Sequence, residues 1–333
     1  MKSNDLIQFF DSGVEPKLEQ LGGKGASLVS MTAAGMPVPP GFVVTCALFD
    51  EFMAAHNLHE KVNEALAGLN PEDVDEVEAI SAKVREKILS APVPPASFAG
   101  QQDTYLWLEG FDTVGEHIRK CWASLYTARA ILYRLKNNIP DEGLSMAVVV
   151  QKMVNAKVSG VAMTLDPATG DRSKITVDSS YGVGEMVVSG QVTPDNIMVD
   201  KVTMGLVSEH IGDKHAELVP DFAARTLIER DVEADRRAAR SLNDEELTAV
   251  ATMAKRAEKH YGCPQDIEWA LDADLPDGEN LLLLQSRPET VHSATVPAAK
   301  PAATGGYAAN LTGAGGALGA YSLSSITSAF IKN

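Results

Sequence analysis

Hydrophobic residues recur at helical spacing in three segments of the chain. In residues 71–90 they form a single apolar stripe, and Asn70 is the predicted N-cap of that helix. The stripe consists of Val74, Val77, Ile80, Val84 and Ile88. The same spacing predicts one helix from about residue 113 to 136 and another over residues 244–260, the latter capped by Asn243.

Other segments have the composition of β-strands. The sequence SMAVVVQKMV, residues 145–154, is a continuous apolar run of the kind that a strand buried on both faces requires. Further strands are predicted over residues 42–45, 159–165, 174–180, 266–271 and 281–287. Helices and strands occur in blocks rather than in strict alternation, so the pattern favours an α+β fold over a doubly wound sheet.

The last two predicted strands form a hairpin whose geometry can be worked out. A turn centred between residues 276 and 277 places Glu268 opposite Gln285 and Asp266 opposite Arg287, all four on one face. A carboxylate, an amide oxygen and a guanidinium together suit Mg²⁺ and phosphate, because Mg²⁺ takes one or two protein oxygens and completes its shell with water and phosphate. The alternative is a cross-strand salt bridge and hydrogen bond on a solvated face.

Two glycine-containing segments could approach a ligand closely. In LGGKGASL, residues 21–28, the glycines allow close backbone approach, Lys24 supplies a positive charge and a helix begins. The spacing is not that of a Walker A motif. In SSYGVGEMVVSG, residues 179–190, a strand leads into glycines and then Glu185. An ordinary tight turn is the alternative for both segments.

Composition and charge exclude several classes of protein. Acidic residues outnumber basic ones 45 to 29, giving a formal charge of −16, which disfavours nucleic acid as a partner. The three cysteines are far apart with no C-x-x-C pair, which excludes a disulfide framework and a thiolate zinc site and fits a reducing cytoplasm. The first residues, MKSNDLIQFFDSG, have no apolar h-region, and no apolar run is long enough to span a membrane. We therefore expect a soluble cytoplasmic protein with no membrane partner.

Five ordered blocks of the sequence resemble a known family. They are LGGKGASL–PVPPGFVVT, ASFAGQQDTYL, QKMVNAKVSGVAMTLDPATGD, SSYGVGEMVVSGQVTPD and YGCPQDIEWAL–LLLLQSRPET. Together they are similar to the N-terminal ATP-binding domain of the phosphoenolpyruvate synthase and pyruvate phosphate dikinase superfamily, which also includes phenylphosphate synthase and rifampicin phosphotransferase. The resemblance extends from about residue 21 to residue 290. It implies an ATP-grasp fold, in which two α+β lobes clamp the nucleotide.

The resemblance also implies a role for individual residues in binding ATP. Lys24 would contact the phosphates. The QKMV segment, with Gln151, Met153 and Val154, would line the adenine pocket, largely through backbone groups. Glu185 would lie near the ribose.

Three residues of the hairpin complete the site that the resemblance implies. Glu268 and Gln285 would hold Mg²⁺, and Arg287 would neutralise phosphate charge. Strand alternation brings the same three side chains to one face. The expected chemistry is phosphoryl transfer, in which positioning and positive charge matter more than a covalent protein group.

The sequence departs from the family pattern at two points. An R-S-S-A-type block, whose arginine helps to hold the phosphates, normally precedes A-S-F-A-G-Q, but here ILSAPVPP leads directly into ASFAGQQ. A segment is therefore expected to be missing near residues 90–96. The chain also has no T-S-H phosphohistidine motif. We expect residues 1–292 to form the ATP-grasp domain and residues 293–333 to be an Ala/Gly-rich linker or tail.

These features predict an ATP-dependent phosphotransferase that is incomplete alone. In this superfamily the acceptor is a histidine on a separate swivelling domain, so the chain is expected to phosphorylate a histidine on a partner domain or subunit. The resemblance points to phenylphosphate synthase, which has this split-subunit organisation, or to phosphoenolpyruvate synthase. The alternative is a non-catalytic nucleotide sensor or scaffold subunit with an incomplete site.

Overall fold

Helices predominate in the first part of the described chain and strands in the second. The computed structural model describes residues 6–91, 105–141 and 143–292, and the backbone of residues 329–330. The first part contains β1 (Ile7–Phe9), α1 (Leu18–Ala33), β2 (Gly41–Val44), α2 (Cys46–Ala55), α3 (Leu58–Leu66), α4 (Val74–Ser90), β3 (Leu108–Glu109), α5 (Phe111–Ser124), α6 (Ala128–Lys136) and β4 (Val148–Gln151).

The second part contains most of the sheet residues. Its elements are β5 (Ala156–Met163), β6 (Lys174–Tyr181), α7 (Glu185–Val188), β7 (Asp195–Asp200), β8 (Leu206–His210), β9 (Ala216–Asp221), β10 (Thr226–Asp231), α8 (Ala234–Ala238), α9 (Asp244–Tyr261), β11 (Gln265–Asp272), β12 (Leu281–Pro288) and β13 (Ala329–Phe330). The α+β fold class is confirmed, and the mixture of helix and sheet is consistent with an ATP-grasp-like domain.

Two antiparallel sheets form the framework. Strands β1, β2 and β4 make a three-stranded sheet, and a six-stranded sheet has the order β12-β11-β5-β6-β7-β8. Alternation along β4 separates two cores, because Val148 and Val150 pack with the helices α2–α6 whereas Val149 packs with α1. Helices α1 and α9 cover one face of the six-stranded sheet, against residues such as Trp269 and Leu271. The opposite face of this sheet carries the candidate site.

The long helix predicted over residues 113–136 is in fact two helices. The break falls between Ser124 and Ala128, where Thr127 caps α6 by accepting a hydrogen bond from the Ala130 amide at 3.3 Å. Helical spacing of apolar residues continues through the break because both helices pack on the same core. A threonine cap was the local signal that the periodicity obscured.

The start of α4 also differs from the prediction. Asp73, rather than Asn70, caps the helix, accepting a hydrogen bond from the Glu76 amide at 3.0 Å. Asn70 instead accepts from the amide of Glu72, which forms a turn before the helix. Val74 is therefore at the first helical position and is 58% exposed, so it does not belong to the buried stripe.

The other long helix and the predicted strands are confirmed. Asn243 and Glu246 form a reciprocal capping box at the start of α9, and Gly262 ends the helix with a left-handed φ of 71°. Each predicted strand segment overlaps an observed strand, although only residues 148–151 of the apolar run at 145–154 are extended, as β4. Within the residues that the structure describes, no helix is both long and apolar enough to cross a membrane.

Candidate nucleotide-binding site

The pairing of β11 with β12 agrees with the predicted register at the candidate site. Glu268 lies opposite Gln285, and Asp266 lies opposite Arg287. The register shifts by one residue immediately after Glu268, so that Trp269 pairs with Leu283. The connection between the strands, residues 273–280, contains the predicted turn position.

The four side chains of this face are in two different environments. Glu268 and Gln285 are buried, with 8% and 5% of their surface exposed. Arg287 is about one-third exposed and makes a two-pronged ion pair with Asp266, whose Oδ2 accepts from Nε at 2.8 Å and from Nη2 at 2.6 Å. A cross-strand salt bridge is therefore present, as the alternative interpretation required. It involves only Asp266 and Arg287, two of the four side chains.

Lys24, in the first part of α1, lies near Glu268. The helix is kinked at Gly22, which has a φ of 63° and a ψ of 172°, a conformation suited to glycine, so the regular helix begins just before Lys24. Burial lowers the pKa of the Lys24 ammonium to about 8, and the nearby carboxylate of Glu268 opposes this shift. The structure thus brings together Lys24 and Glu268, which are far apart in the sequence.

An apolar cluster lies on the same face of the sheet. Its buried members are Trp107, Met153, Val154, Ala156, Val183 and Ala270. Ala270 is two residues after Glu268 on β11, so both point to the same side of the sheet. Met153 and Val154 follow β4 in the connection that leads to β5, at the point where the chain passes from the small sheet to the large one. These two predicted adenine-pocket residues therefore share a sheet face with Glu268.

Gln151 and Glu185 are not members of this cluster, but each is two residues from one of its buried members in the sequence. Gln151 is the last residue of β4 and is 1% exposed, and its side-chain amide nitrogen has no hydrogen-bond partner in the described part of the chain. Glu185 opens α7 two residues after Val183, and burial raises the pKa of its carboxyl group. The loop before Glu185 is tied to the sheet by Ser159, whose hydroxyl donates to the carbonyl of Gly182 at 2.6 Å.

Asp178 was not identified from the sequence. It lies on β6 opposite Val161, which in turn lies opposite Glu268, so the two carboxylates share one face. Burial raises the pKa of Asp178, a 2.6 Å hydrogen bond from Asn196 opposes that rise, and the carboxylate of Asp266 adds to it. Alternation in KITVDSS could have indicated this residue, since polar residues at alternate positions of a buried strand mark its polar face.

Trp107 was also missed. It lies in the apolar cluster, only 6% exposed, and has a left-handed φ of 58°. Its ring contacts Phe222, which follows β9, with a centroid separation of 5.7 Å. No sequence signal marks a tryptophan for this backbone conformation, which is uncommon for a bulky residue.

The donor set fits a magnesium-nucleotide complex. Glu268 offers a carboxylate and Gln285 an amide oxygen from facing strand positions, and these are oxygen ligands of the type that Mg²⁺ prefers. Within the described ranges, no group of three or more His, Cys, Asp or Glu residues is suitably placed for a metal. Two protein oxygens leave room for water and phosphate ligands, and Lys24 adds a positive charge beside them.

Comparison with known proteins identifies the family. Residues 18–96 and 93–305 match the model of the pyruvate phosphate dikinase AMP/ATP-binding domain. The chain is 39% identical to a probable phosphoenolpyruvate synthase of Methanothermobacter thermautotrophicus, over 85% of this chain and 46% of that protein. It is 36% identical to the phosphoenolpyruvate synthase of Aeropyrum pernix, over 86% of this chain and 43% of that protein.

A third relative shows the same relationship. The phosphoenolpyruvate synthase of Pyrococcus furiosus is 34% identical over 86% of this chain and 44% of that protein. The chain thus spans less than half the length of the curated relatives to which it was compared. The family match covers most of the chain and includes every residue of the candidate site. This chain belongs to the AMP/ATP-binding domain family of pyruvate phosphate dikinase and phosphoenolpyruvate synthase.

Proposed function

We propose that this chain binds Mg-ATP on the face of the six-stranded sheet that carries Glu268, and transfers a phosphoryl group to a histidine of a separate domain or subunit. The observation that carries the proposal is the convergence of Lys24 with Glu268 and Gln285 at one end of a face whose other end is apolar. A phosphate-binding end beside an apolar end matches the two halves of a nucleotide.

Each part of the face has a role in this proposal. Lys24 and Arg287 bind and orient the phosphates, and Glu268 and Gln285 hold Mg²⁺. The bound ion supplies charge neutralisation and orients the phosphate oxygens. The ion pair between Asp266 and Arg287 keeps the guanidinium on this face before nucleotide binds.

The apolar end accommodates the base in the same proposal. Met153 and Val154 pack beside the adenine, Gln151 leads into that segment, and Glu185 lies towards the ribose. This assignment is supported by the packing of Met153 and Val154 with Val183, which is near Glu185 in the sequence. A rigid apolar wall suits a planar base.

The proposed step breaks a P–O bond of ATP and forms a P–N bond to an imidazole nitrogen. The electron pair of the broken bond stays on the departing phosphate oxygen, where the cations of Lys24 and Arg287 offset the added charge. The acceptor histidine belongs to a swivelling domain or to another polypeptide. The complete system is of the phosphoenolpyruvate synthase or phenylphosphate synthase type, and its location is the cytoplasm.

The domain boundaries belong to the same proposal. Residues 1–292 form the nucleotide-binding domain and residues 293–333 a linker or tail. The alignment with the Pyrococcus furiosus protein runs over 359 positions, more than the 333 residues of this chain, so that relative has residues with no counterpart here. The family match is divided into two segments that meet at residues 93–96, which supports a missing block near residues 90–96. Most of that junction lies outside the described residues.

Nucleotide binding and transfer test the proposal separately. The melting temperature of the purified chain is measured with ATP alone, with Mg²⁺ alone and with both, because a ligand that binds only the folded state raises it. Transfer of label from radioactive ATP to a T-S-H-containing domain of a phosphoenolpyruvate synthase is then measured. A Mg²⁺-dependent rise with acid-labile labelling of that domain is expected. Binding without labelling would favour a nucleotide sensor. The absence of both binding and labelling would refute the proposal.

A further inference from the structure

A chain of hydrogen bonds connects three separate sequence blocks behind the candidate site. The hydroxyl of Ser27, on α1, donates to the backbone carbonyl of Ser286, on β12, at 3.0 Å. The hydroxyl of Tyr261, the last residue of α9, lies 2.8 Å from the same Ser27 hydroxyl. Tyr261 also lies 3.3 Å from the Ser27 carbonyl. Ser27 is thus held from both sides.

The direction of this chain follows from counting hydrogens. A serine hydroxyl has one hydrogen, and that of Ser27 is used in the bond to the Ser286 carbonyl. The phenol of Tyr261 is therefore the donor, and it shares its one hydrogen between the hydroxyl and the carbonyl of Ser27. Burial raises the pKa of this phenol. Hydroxyls linked in one direction polarise one another and strengthen the chain.

The chain ends beside residues of the candidate site. Ser286 lies between Gln285 and Arg287, so its carbonyl belongs to the backbone that carries both side chains. Ser27 is three residues after Lys24, about one helical turn, and therefore lies on the same side of α1. A bond at Ser27 consequently sets how α1 lies against β12 and where Lys24 is presented.

Further contacts hold α1 in this orientation. A Cβ atom at Gly25 would lie 2.9 Å from a methyl carbon of Val43, so glycine lets α1 pack closely on β2. One turn beyond Ser27, the hydroxyl of Ser30 lies 2.9 Å from Nε2 of His260. Of the two hydroxyl contacts, that of Ser27 is nearer to Lys24 in the sequence than that of Ser30.

We propose that Ser27 and Tyr261 are positioning residues of the phosphate-binding end, which fix Lys24 of α1 relative to Gln285 and Arg287 of β12. This inference rests on the proposed function, because it assigns the two hydroxyls an effect on nucleotide affinity through Lys24. A merely structural role would lower stability without any specific link to Lys24.

A double-mutant cycle separates these two roles. The dissociation constant for Mg-ATP is measured by calorimetry for the full chain, for Ser27→Ala, for Lys24→Ala and for the double variant. Ser27→Ala is expected to weaken binding by about fivefold when Lys24 is present, the scale of one hydrogen bond. It is expected to have an effect of less than about twofold when Lys24 is absent, because interacting residues are non-additive.

The matched control is Thr32→Ala on the same helix. The hydroxyl of Thr32 donates only to the carbonyl of Leu28, one turn earlier in α1, so its loss is expected to leave the affinity unchanged. If Ser27→Ala does not fold, Tyr261→Phe, which removes a single oxygen, takes its place in the double-mutant cycle with Lys24→Ala.

The outcomes distinguish the inference from the function on which it rests. Equal losses of affinity for Ser27→Ala with and without Lys24, or no loss at all, would overturn the positioning role while leaving the nucleotide site intact. A parent chain that does not bind Mg-ATP would refute the proposed function and the inference with it. The expected result is that Ser27→Ala and Tyr261→Phe each weaken Mg-ATP binding only in proteins that retain Lys24.

Discussion

Gln285 pairs with Glu268 across strands β11 and β12, whereas Leu283, two residues before Gln285, pairs with Trp269. Leu284 has no partner of its own in this pairing and is the extra residue of a β-bulge. Leu283 packs in the core with Trp269, on the face opposite Glu268. The bulge therefore turns Gln285 to the site while Leu283 stays in the core, which strict alternation would not permit.

The first prediction concerns the acidic member of this pair. Glu268→Gln retains the shape of the side chain but removes the charge that a divalent cation requires. We expect the parent chain to gain about 2–3 kcal/mol from Mg-ATP at 100 times its dissociation constant, and the variant to lose most of this gain. Differential scanning fluorimetry at matched nucleotide concentration measures this gain in stability for both proteins.

Glu279→Gln is the matched control for this change. Glu279 is exposed in the connection between β11 and β12, on the same hairpin but away from the paired face. Its replacement is expected to leave the Mg²⁺-dependent shift at the parent value. A full Mg²⁺-dependent shift in Glu268→Gln would contradict the assignment of Glu268 as a ligand.

The second prediction is a pH dependence that arises from Lys24. Because burial lowers the pKa of its ammonium to about 8, Lys24 is charged at pH 7 and becomes neutral as the pH rises through that value. Affinity for Mg-ATP is therefore expected to fall above pH 8, by at most about tenfold per pH unit for the loss of one proton. Calorimetric titrations between pH 7 and pH 9.5 test this.

Lys24→Arg supplies the comparison, because a guanidinium stays charged throughout this range. The variant is expected to bind with an affinity that is nearly independent of pH, even if its affinity at pH 7 is lower. A parallel decline in both proteins would show that some group other than Lys24 causes it.

The sequence predicted best those features that depend on local pairing. Alternation and an assumed turn centre placed Asp266 opposite Arg287 and Glu268 opposite Gln285, as observed, but the pairs nearer the turn, such as Trp269 with Leu283, are shifted by one residue from that prediction. The bulge offsets this one-residue error before the chain reaches Gln285. The bulge itself was not predicted, since a run of four leucines looks the same in either register. The helix α9 was predicted at both ends because a capping box and a glycine mark it.

Other features depend on contacts between distant parts of the chain. The proximity of Lys24 to Glu268 was implied by family resemblance, and spacing alone could not have given it. No strands were predicted over β7 to β10. Strands β8 and β10 are largely exposed and give little periodicity, whereas β7 does alternate between buried and more exposed residues. Alternation in KITVDSS indicates that Asp178 lies on the polar face of β6, but its position beside Glu268 depends on the pairing of β5 with both β6 and β11.

The third prediction concerns the cap of α9. Asn243 accepts a hydrogen bond from the Glu246 amide at 2.8 Å, and Glu246 accepts one from the Asn243 amide at 2.9 Å. Asn243→Ala is expected to reduce the free energy of unfolding by about 1 kcal/mol, whereas Asn243→Asp should retain nearly all of it. Urea denaturation measures both, and equal losses in the two variants would exclude capping as the cause.

The fourth prediction concerns a buried ion pair. Lys214 and Asp195 are both fully buried and bonded to each other. Asp195 also accepts hydrogen bonds from the amides of Gly212 and Ser241, and Lys214 donates to the carbonyl of Arg237 at 3.1 Å. The pair thus connects β7 to the segment before β9, to α8 and to the segment after α8.

Removing only the cation would leave a carboxylate buried without its counter-ion. Lys214→Met is therefore expected to lower the free energy of unfolding by roughly 3–5 kcal/mol. The double variant Lys214→Met/Asp195→Asn should lose less, because no uncompensated charge remains inside. Urea unfolding at pH 7, with the slope of the transition checked for constancy, compares the three proteins. A double variant that is less stable than Lys214→Met would show that hydrogen bonding by Asp195, rather than charge pairing, determines the stability of this region.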